Sequence, residues 1–381
     1  MGFYVTRDTG RSMMTYQYHG EDRSLLYKYI FNPLVAELVT VVPEWIAPNV
    51  ITVAGLLMLI IASTITYLHS PHLTSNLPDS VNKLCALSLF IYQTLDNLDG
   101  KQARKTGNSS PLGLLMDHGV DALAVTISTL MLGAVFQFGA TWALHALWIL
   151  AMIPFAFATW EEYYTNSLIL GIVNGPSDGL TVAMVFCLLP VFFGPEFWSA
   201  PISIESYGSP MLAYISALPR NRLILAMLVI AVIPTISMNI NNVVKCRTSQ
   251  KKSLSVPFAT LGPFLILVVA SVVWLVYSPS QIFVSNPRWC LYTLGFVFGN
   301  IACKLMFAHV GNHKYRVRRY SLIPLVIAAV NSVSGALINE IALTAMTLCT
   351  AIVCWLHFAV VASWEVSRLL GIRVFLVKPS D

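Results

Sequence analysis

Four aspartates stand in two helically spaced pairs: Asp96 and Asp99 are three apart, and Asp117 and Asp121 are four apart. Those spacings place both members of a pair on one face of a helix. Between the pairs lies "KTGNSSP", whose Gly107 and Pro111 mark a turn. Two antiparallel helices joined by this loop would each direct two carboxylates into the space between them. Gly100, Ala103 and Gly113 lie among them, and such small residues let a helix or a ligand approach closely. Four carboxylates in a low dielectric do not all stay ionised without offsetting cations. Lys101, Arg104 and Lys105 can balance some of that charge, and a divalent ion does so better. A set of oxygen ligands suits Mg²⁺, Mn²⁺ or Ca²⁺ rather than zinc. Two such ions side by side clamp the attacking and leaving oxygens of a phosphoryl displacement. Arg104, on the helix of the first pair, is placed to meet a phosphate.

The rest of the chain is hydrophobic. Apolar residues make up 56% of the 381 and charged residues 11%, against about 25% charged in a soluble domain. The expected class is all-α integral membrane. The net charge of +5 sits in clusters between apolar runs, as loop charges do, and does not form a nucleic-acid-binding patch. The seven cysteines are scattered without zinc-site spacing and read as small apolar residues.

Apolar windows long enough to cross a bilayer recur ten times, near 49–69, 84–104, 112–137, 141–162, 179–195, 222–243, 256–277, 288–309, 320–338 and 341–363. Most loop cations share one face, and the opposite one has only Arg220, Arg222 and Arg288 near span ends. Lys101, Arg104 and Lys105 follow the second window, and Lys245, Arg247, Lys251 and Lys252 follow the sixth. Lys314, Arg316, Arg318 and Arg319 follow the eighth, and Arg368, Arg373 and Lys378 follow the tenth. By the positive-inside rule both termini and the aspartate end of the second window face the cytosol. Ahead of the first window, "SLLYKYIFNPLVAELVTVVPEWIAPN" is apolar but interrupted by Lys28, Pro33, Glu37 and Pro43. It predicts an amphipathic helix lying in the membrane interface. Three parts are expected: a cytosolic N-terminal segment over 1–48, a catalytic bundle of about six spans over 49–243, and about four further spans over 244–381. The last part is free to serve lipid access or homodimer formation.

The run "DNLDGKQAR", eight residues, then "GLLMDHGVD" resembles the signature of the CDP-alcohol phosphotransferases, D-x-x-D-G-x-x-A-R-x(8)-G-x-x-x-D-x-x-x-D. Asp96, Asp99, Gly100, Ala103, Arg104, Gly113, Asp117 and Asp121 fill every fixed position. "PEWIAPNVITVAGL", "YQYHGEDRSLLYKYIFNP", "TWEEYYTNSLILGIVNGP" and "KLMFAHV" are similar to segments of the eukaryotic choline/ethanolamine phosphotransferase branch. The resemblance implies transfer of phosphocholine or phosphoethanolamine from CDP-choline or CDP-ethanolamine to diacylglycerol, releasing CMP. It also implies dependence on Mg²⁺ or Mn²⁺ in a two-metal site. A multi-pass protein of the endoplasmic reticulum or Golgi, with its site facing the cytosol, would meet both the soluble donor and the lipid acceptor.

Roles follow from the resemblance and the chemistry together. Asp96, Asp99 and Asp117 are expected to bind metal, and Asp121 to bind metal, take the acceptor proton, or both. His118 ionises near neutral pH and is the rival base, although it points about 100° away from Asp117 on a helix. Gly100, Ala103 and Gly113 are expected to let the nucleotide come close, and Arg104 to hold a phosphate. Asn49 either reaches the nucleotide or caps a helix. Ser109 and Ser110 either contact phosphate or cytidine or only shape the turn. In "WEEYY", Glu161 and Trp160 are the candidates for steering the cationic headgroup. Lys304 and His309, near the cytosolic end of the eighth window, are candidates to touch the site or lipid phosphates, and snorkelling accounts for Lys304 equally well. Two other readings compete: a multi-span transporter with intramembrane acids, and a phospholipid synthase using CDP-diacylglycerol.

Overall fold

The computed structural model describes residues 2–171, 178–203, 209–317 and 319–377. Of the loop cations named above, Arg318 and Lys378 lie outside these residues, as does the end of "TWEEYYTNSLILGIVNGP".

The chain begins with α1 (Arg7–Met14) and α2 (Asn32–Val41), followed by α3 (Pro48–His69), α4 (Asp79–Lys105), α5 (Pro111–Val135) and α6 (Trp142–Thr165). Then come α7 (Leu180–Phe193), α8 (Pro210–Ala217), α9 (Asn221–Ser249), α10 (Ser255–Thr260) and α11 (Gly262–Tyr277). The last are α12 (Ile282–Ser285), α13 (Pro287–Val310), α14 (Ile323–Val333) and α15 (Glu340–Leu370). Proline and small polar residues set the starts. Pro48, Pro111 and Pro287 occupy the first turns of α3, α5 and α13, where a missing N–H costs nothing. Ser110 caps α5 by accepting from the Gly113 amide at 3.2 Å.

Each of the ten apolar windows holds a helix. Six of these, α3, α5, α6, α9, α13 and α15, are long and apolar enough to cross a membrane. The helices in the other windows are the acid-bearing α4 and the shorter α7, α11 and α14. The window over 256–277 is divided at Leu261, before Pro263 in the first turn of α11, so that α10 is separate.

Helix α3 packs on both α4 and α5, while α4 and α5 themselves barely touch. A gap therefore opens between the two aspartate-bearing helices. Helix α13 forms the spine of the bundle and packs against α5, α6 and α15. From Val297 to Val310 only Lys304 escapes burial, as expected of a helix apolar all round. Gly295 lets α13 cross α5 closely, since a Cβ there would overlap Thr126.

The segment before α3 lies along the end of α4. Lys105 Nζ donates to the Val39 and Val42 carbonyls at 2.8 and 2.7 Å, and Gln102 Nε2 donates to Pro43 and Ile46 at 2.9 and 3.1 Å. These bonds satisfy carbonyls that the end of α2 leaves open. Phe31 and Val35 are buried, while Tyr29, Ile30, Val41 and Trp45 are exposed, the division an interfacial helix requires. The chain start is anchored separately. Glu365 of α15 accepts the amide N–H groups of Phe3, of Tyr4 at 2.9 Å and of Val5 at 2.8 Å. Farther on, β1 (Gly20–Asp22) pairs in parallel with β2 (Leu168–Leu170), just beyond α6.

Candidate active site

Asp96 of α4 and Asp117 and Asp121 of α5 converge. Each offers a carboxylate oxygen, and these oxygens lie within 4.8 Å of one another. The pairing expected from their spacing is thus the pairing observed across the α4–α5 gap. Tyr92, one turn before Asp96, bridges that gap by donating its hydroxyl to Asp121 Oδ1. Gly55 of α3 leaves room for the ring, because a Cβ there would stand 3.3 Å from Tyr92 Cδ2. Asp99 is held apart from the three. It is buried, and its Oδ2 accepts from Thr52 Oγ1 of α3.

Two of the three cations expected to balance these acids, Lys101 and Lys105, are engaged elsewhere. Lys101 Nζ donates to the Asn32 carbonyl at 3.0 Å and to Asn32 Oδ1 at 2.6 Å, and Lys105 is bonded to α2 as described. Arg104 is exposed, and its Nη1 lies 3.8 Å from the position a Cβ would take on Gly100. Apart from the backbone of α4 itself and the adjoining residues, nothing else among the described residues lies within 4 Å of that position, so Gly100 borders open space. Asp117 Oδ1 is buried without a hydrogen-bond partner among the described residues, although the side chain as a whole keeps 29% of its exposure. Three grouped carboxylates, one with an orphaned oxygen, form an all-oxygen donor set that fits a hard divalent cation.

Asn49 is buried in the first turn of α3 and donates from Nδ2 to the Val374 carbonyl at 2.7 Å. The residue capping α3 is Ala47, so the helix-cap alternative for Asn49 does not hold. Its Oδ1 faces Gly113, at 3.9 Å from where a Cβ would stand. Ser110 shapes the turn through its cap, and Ser109 is exposed. Ala103, half-buried on α4, adds only a methyl group there.

A second polar group lies behind the aspartates. His118, buried beside Asp117, places Nδ1 3.1 Å from the Leu114 carbonyl and 3.8 Å from Asp117 Oδ2. Its Nε2 lies 3.3 Å from Glu162 Oε2 at the end of α6. The other oxygen of Glu162 lies 3.6 Å from His309 Nε2 of α13. Tyr16, from the N-terminal segment, brings its hydroxyl to 3.0 Å from that same Nε2. Burial, and then the charge of Glu162, hold the Tyr16 phenol above its ordinary pKa, so it stays O–H. Glu162 is 1% exposed, and among the described residues neither of its oxygens has a hydrogen bond of good geometry.

The neighbouring residue faces another way. Glu161 accepts from Asn239 Nδ2 at 2.7 Å and Asn242 Nδ2 at 2.8 Å, both on α9. Trp160 is fully buried, and its indole N–H donates to the Pro257 carbonyl at 2.9 Å and Thr260 Oγ1 at 3.1 Å. The two side chains expected to meet a headgroup therefore tie α6 to α9 and α10. Lys304 lays its ammonium 5.7 Å from the Phe358 ring centroid on α15. Sequence reading missed Glu162 and Tyr16, whereas His309, a candidate there to touch the site or lipid phosphates, stands beside Glu162. The adjacent acids of "WEEYY" were a signal that two faces of α6 each need a polar partner, but not which face meets the histidines.

Residues 45–205 match the family described as CDP-alcohol phosphatidyltransferase, a stretch that includes all four aspartates. Over 386 aligned residues the chain is 33% identical to choline/ethanolaminephosphotransferase 1 of Arabidopsis thaliana, covering 98% of each chain. It is 32% identical to choline/ethanolaminephosphotransferase 2 of the same plant over 388 residues, again covering 98% of each. With choline/ethanolaminephosphotransferase 1 of Saccharomyces cerevisiae it shares 33% identity over 213 residues, 56% of this chain and 54% of that one.

Proposed function

The chain belongs to the CDP-alcohol phosphatidyltransferase family, and from that premise we propose that it transfers phosphocholine, phosphoethanolamine or both from the CDP-alcohol to diacylglycerol. The observation that carries the reading is the convergence of Asp96, Asp117 and Asp121 on one point between α4 and α5. In the reaction the diacylglycerol hydroxyl oxygen bonds to the phosphorus bearing the headgroup. The bond from that phosphorus to the bridging oxygen breaks, CMP leaves with the electron pair, and one proton is released. Relatives named as transferases along 98% of the chain leave the transporter and CDP-diacylglycerol readings without a supporting observation.

Asp96, Asp117 and Asp121 would hold Mg²⁺ or Mn²⁺, with Asp99 behind them available to a second ion. Bound there, the metal would neutralise diphosphate charge and stabilise the charge that develops on the leaving oxygen. The chain's own residues do the rest. Arg104 meets a phosphate from the rim. Gly100, with open space where a side chain would stand, and Gly113 let the nucleotide lie against the helices. Tyr92 fixes the rotamer of Asp121 through its hydroxyl. The hydroxyl proton passes to the Glu162–His118 pair. Asp121 Oδ1 already accepts from Tyr92, whereas Glu162 has no full hydrogen bond to give up. This extends the pair of bases considered from sequence, Asp121 and His118, to a third residue.

The site fits the cytosolic side of an endoplasmic reticulum or Golgi membrane. The cation-rich ends of α9 and α13 gather at the site's end of α6: Arg247 lies over the Tyr164 ring, and the Tyr163 hydroxyl donates to the His313 carbonyl at 3.0 Å. The test is turnover by the purified protein with diacylglycerol, Mg²⁺ or Mn²⁺, and CDP-choline or CDP-ethanolamine side by side. CMP release with formation of the matching phospholipid is expected. Failure with both CDP-alcohols overturns the reading.

A further inference from the structure

Helix α15 ends at Leu370, and the chain leaves it through Gly371 in the left-handed region, at φ +63°. That conformation suits glycine and turns the backbone back on itself. The Ile372 amide donates to the Ser367 carbonyl at 3.1 Å, and Ser367 Oγ donates to the Ile372 carbonyl at 2.5 Å. Ile372 and Val374 then pack into the apolar cluster that holds Val5 and Leu112, near the start of α5. This places one hydrogen bond across 325 positions of sequence: the Val374 carbonyl accepts from Asn49 Nδ2 at 2.7 Å. A carbonyl accepts and never donates, so it fixes which end of the Asn49 amide faces it. The amide oxygen must point the other way. There it stands 3.9 Å from the place of a Cβ on Gly113, and no described residue donates to it.

A diphosphate only accepts hydrogen bonds, whereas a cytidine donates them through its amino group and its ribose hydroxyls. An amide held with its oxygen toward the ligand therefore suits the nucleoside and repels the phosphates, and the flipped amide would do the reverse. We propose that residues 371–377 belong to the donor site: the Val374 carbonyl is a positioning group that presents the Asn49 oxygen to an N–H or O–H of the nucleoside. The inference rests on the CDP-alcohol reading above, with the nucleotide lying beside Gly113. It needs no proton transfer.

The ethanolamine ammonium also donates, so the test uses CMP, which lacks it, as an inhibitor of transfer. Gly371→Val strains the left-handed turn and should loosen the segment. The expected result is inhibition by CMP weakened about five- to tenfold, and KM for the CDP-alcohol raised as far, the worth of one neutral hydrogen bond. The kcat and the KM for diacylglycerol stay as in the parent protein. Gly371→Asn, which tolerates the left-handed region, should lose less. Val374→Asp, whose carboxylate cannot stay in the apolar cluster, should act like Gly371→Val, and it decides alone if Gly371→Val does not fold. Asn49→Ala should weaken CMP at least as far, and adding Gly371→Val to it should cost nothing more, because both act through one amide. UMP has an oxygen in place of the amino group, and 2′,3′-dideoxy-CMP lacks both hydroxyls. The parent's preference for CMP over one of them should shrink in Gly371→Val, which identifies the donor. Unchanged CMP inhibition in the variants of the segment, multiplicative losses in the double variant, or both preferences kept at the parental ratio would overturn the proposal. A segment that only stabilises the fold would lower the unfolding midpoint and move none of these. A parent protein inactive on both CDP-alcohols instead sinks the reaction on which the inference rests.

Discussion

Glu161 and Glu162 are sequence neighbours, each 1% exposed, yet the same conservative change should read out differently at the two positions. Glu161 accepts from two asparagine amides of α9, at 2.7 and 2.8 Å. In Glu161→Gln one acceptor becomes a donor facing a donor. Asn239 Oδ1 has no partner among the described residues, so a flip of that amide restores the missing bond. The remaining loss is the charge assistance on two hydrogen bonds, about 1–2 kcal/mol of stability. An unfolding midpoint lower by roughly 2–5 °C is expected, with turnover and the choline-to-ethanolamine ratio near parental values. At Glu162 no full hydrogen bond is lost, since the nearest nitrogens stand at 3.3 and 3.6 Å. What Glu162→Gln removes is the capacity to take a proton. General-base catalysis contributes roughly 10²–10⁴-fold, about 2.7–5.5 kcal/mol of barrier. The assay is CMP release from radiolabelled CDP-ethanolamine with diacylglycerol in mixed micelles, run beside thermal unfolding followed by tryptophan fluorescence. A Glu161→Gln protein that is stable but a hundredfold slower, or a Glu162→Gln protein at parental turnover, would refute this division of roles.

Asp117→Asn should abolish transfer while the protein stays folded, because it removes one charge from the grouped carboxylates and leaves the shape; retained activity would remove Asp117 from the metal site. Chelation with EDTA should stop turnover, and Mg²⁺ or Mn²⁺ should restore it, whereas turnover that survives exhaustive chelation would exclude a metal held by these aspartates. Gly100→Ala places a methyl group in open space, so a raised KM for the CDP-alcohol with an unchanged unfolding midpoint is expected, and an unchanged KM would show that the nucleotide lies elsewhere. Lys105→Met frees the Val39 and Val42 carbonyls, costs about 1 kcal/mol and should speed hydrogen exchange over residues 32–46; exchange as slow as in the parent would mean that the lysine does not hold α2.

What could be read from the sequence was what depends on local spacing. Helix periodicity places Asp96 on one inner face and Asp117 and Asp121 on the other, and the helix–turn–helix between them makes those faces meet. The ten hydropathy windows located ten helices for the same reason, although the break at Leu261 turned on one proline. Asp99 has the right period but meets Thr52, because α3 lies against that side of α4. Lys101 and Lys105 show the limit of charge reasoning: a lysine near acids can serve open carbonyls just as well, and here α2 offered them. Glu162, His309 and Tyr16 were beyond reach because residues 16, 118, 162 and 309 come from four separate elements. Only the packing of α13 across α5 and α6 brings them into one group.

The grip of Glu365 on residues 3–5 has a consequence for biogenesis. The acceptor for the amides of residues 3–5 lies near the end of α15, some 360 positions later. Residues 3–5 therefore cannot be held in place until α15 has entered the membrane, however early the aspartate-bearing pair has assembled. Contacts that close such a large loop form late. A nascent chain would thus pass through a stage with its carboxylates gathered and residues 3–5 still unanchored, and would close that contact only once α15 is in place.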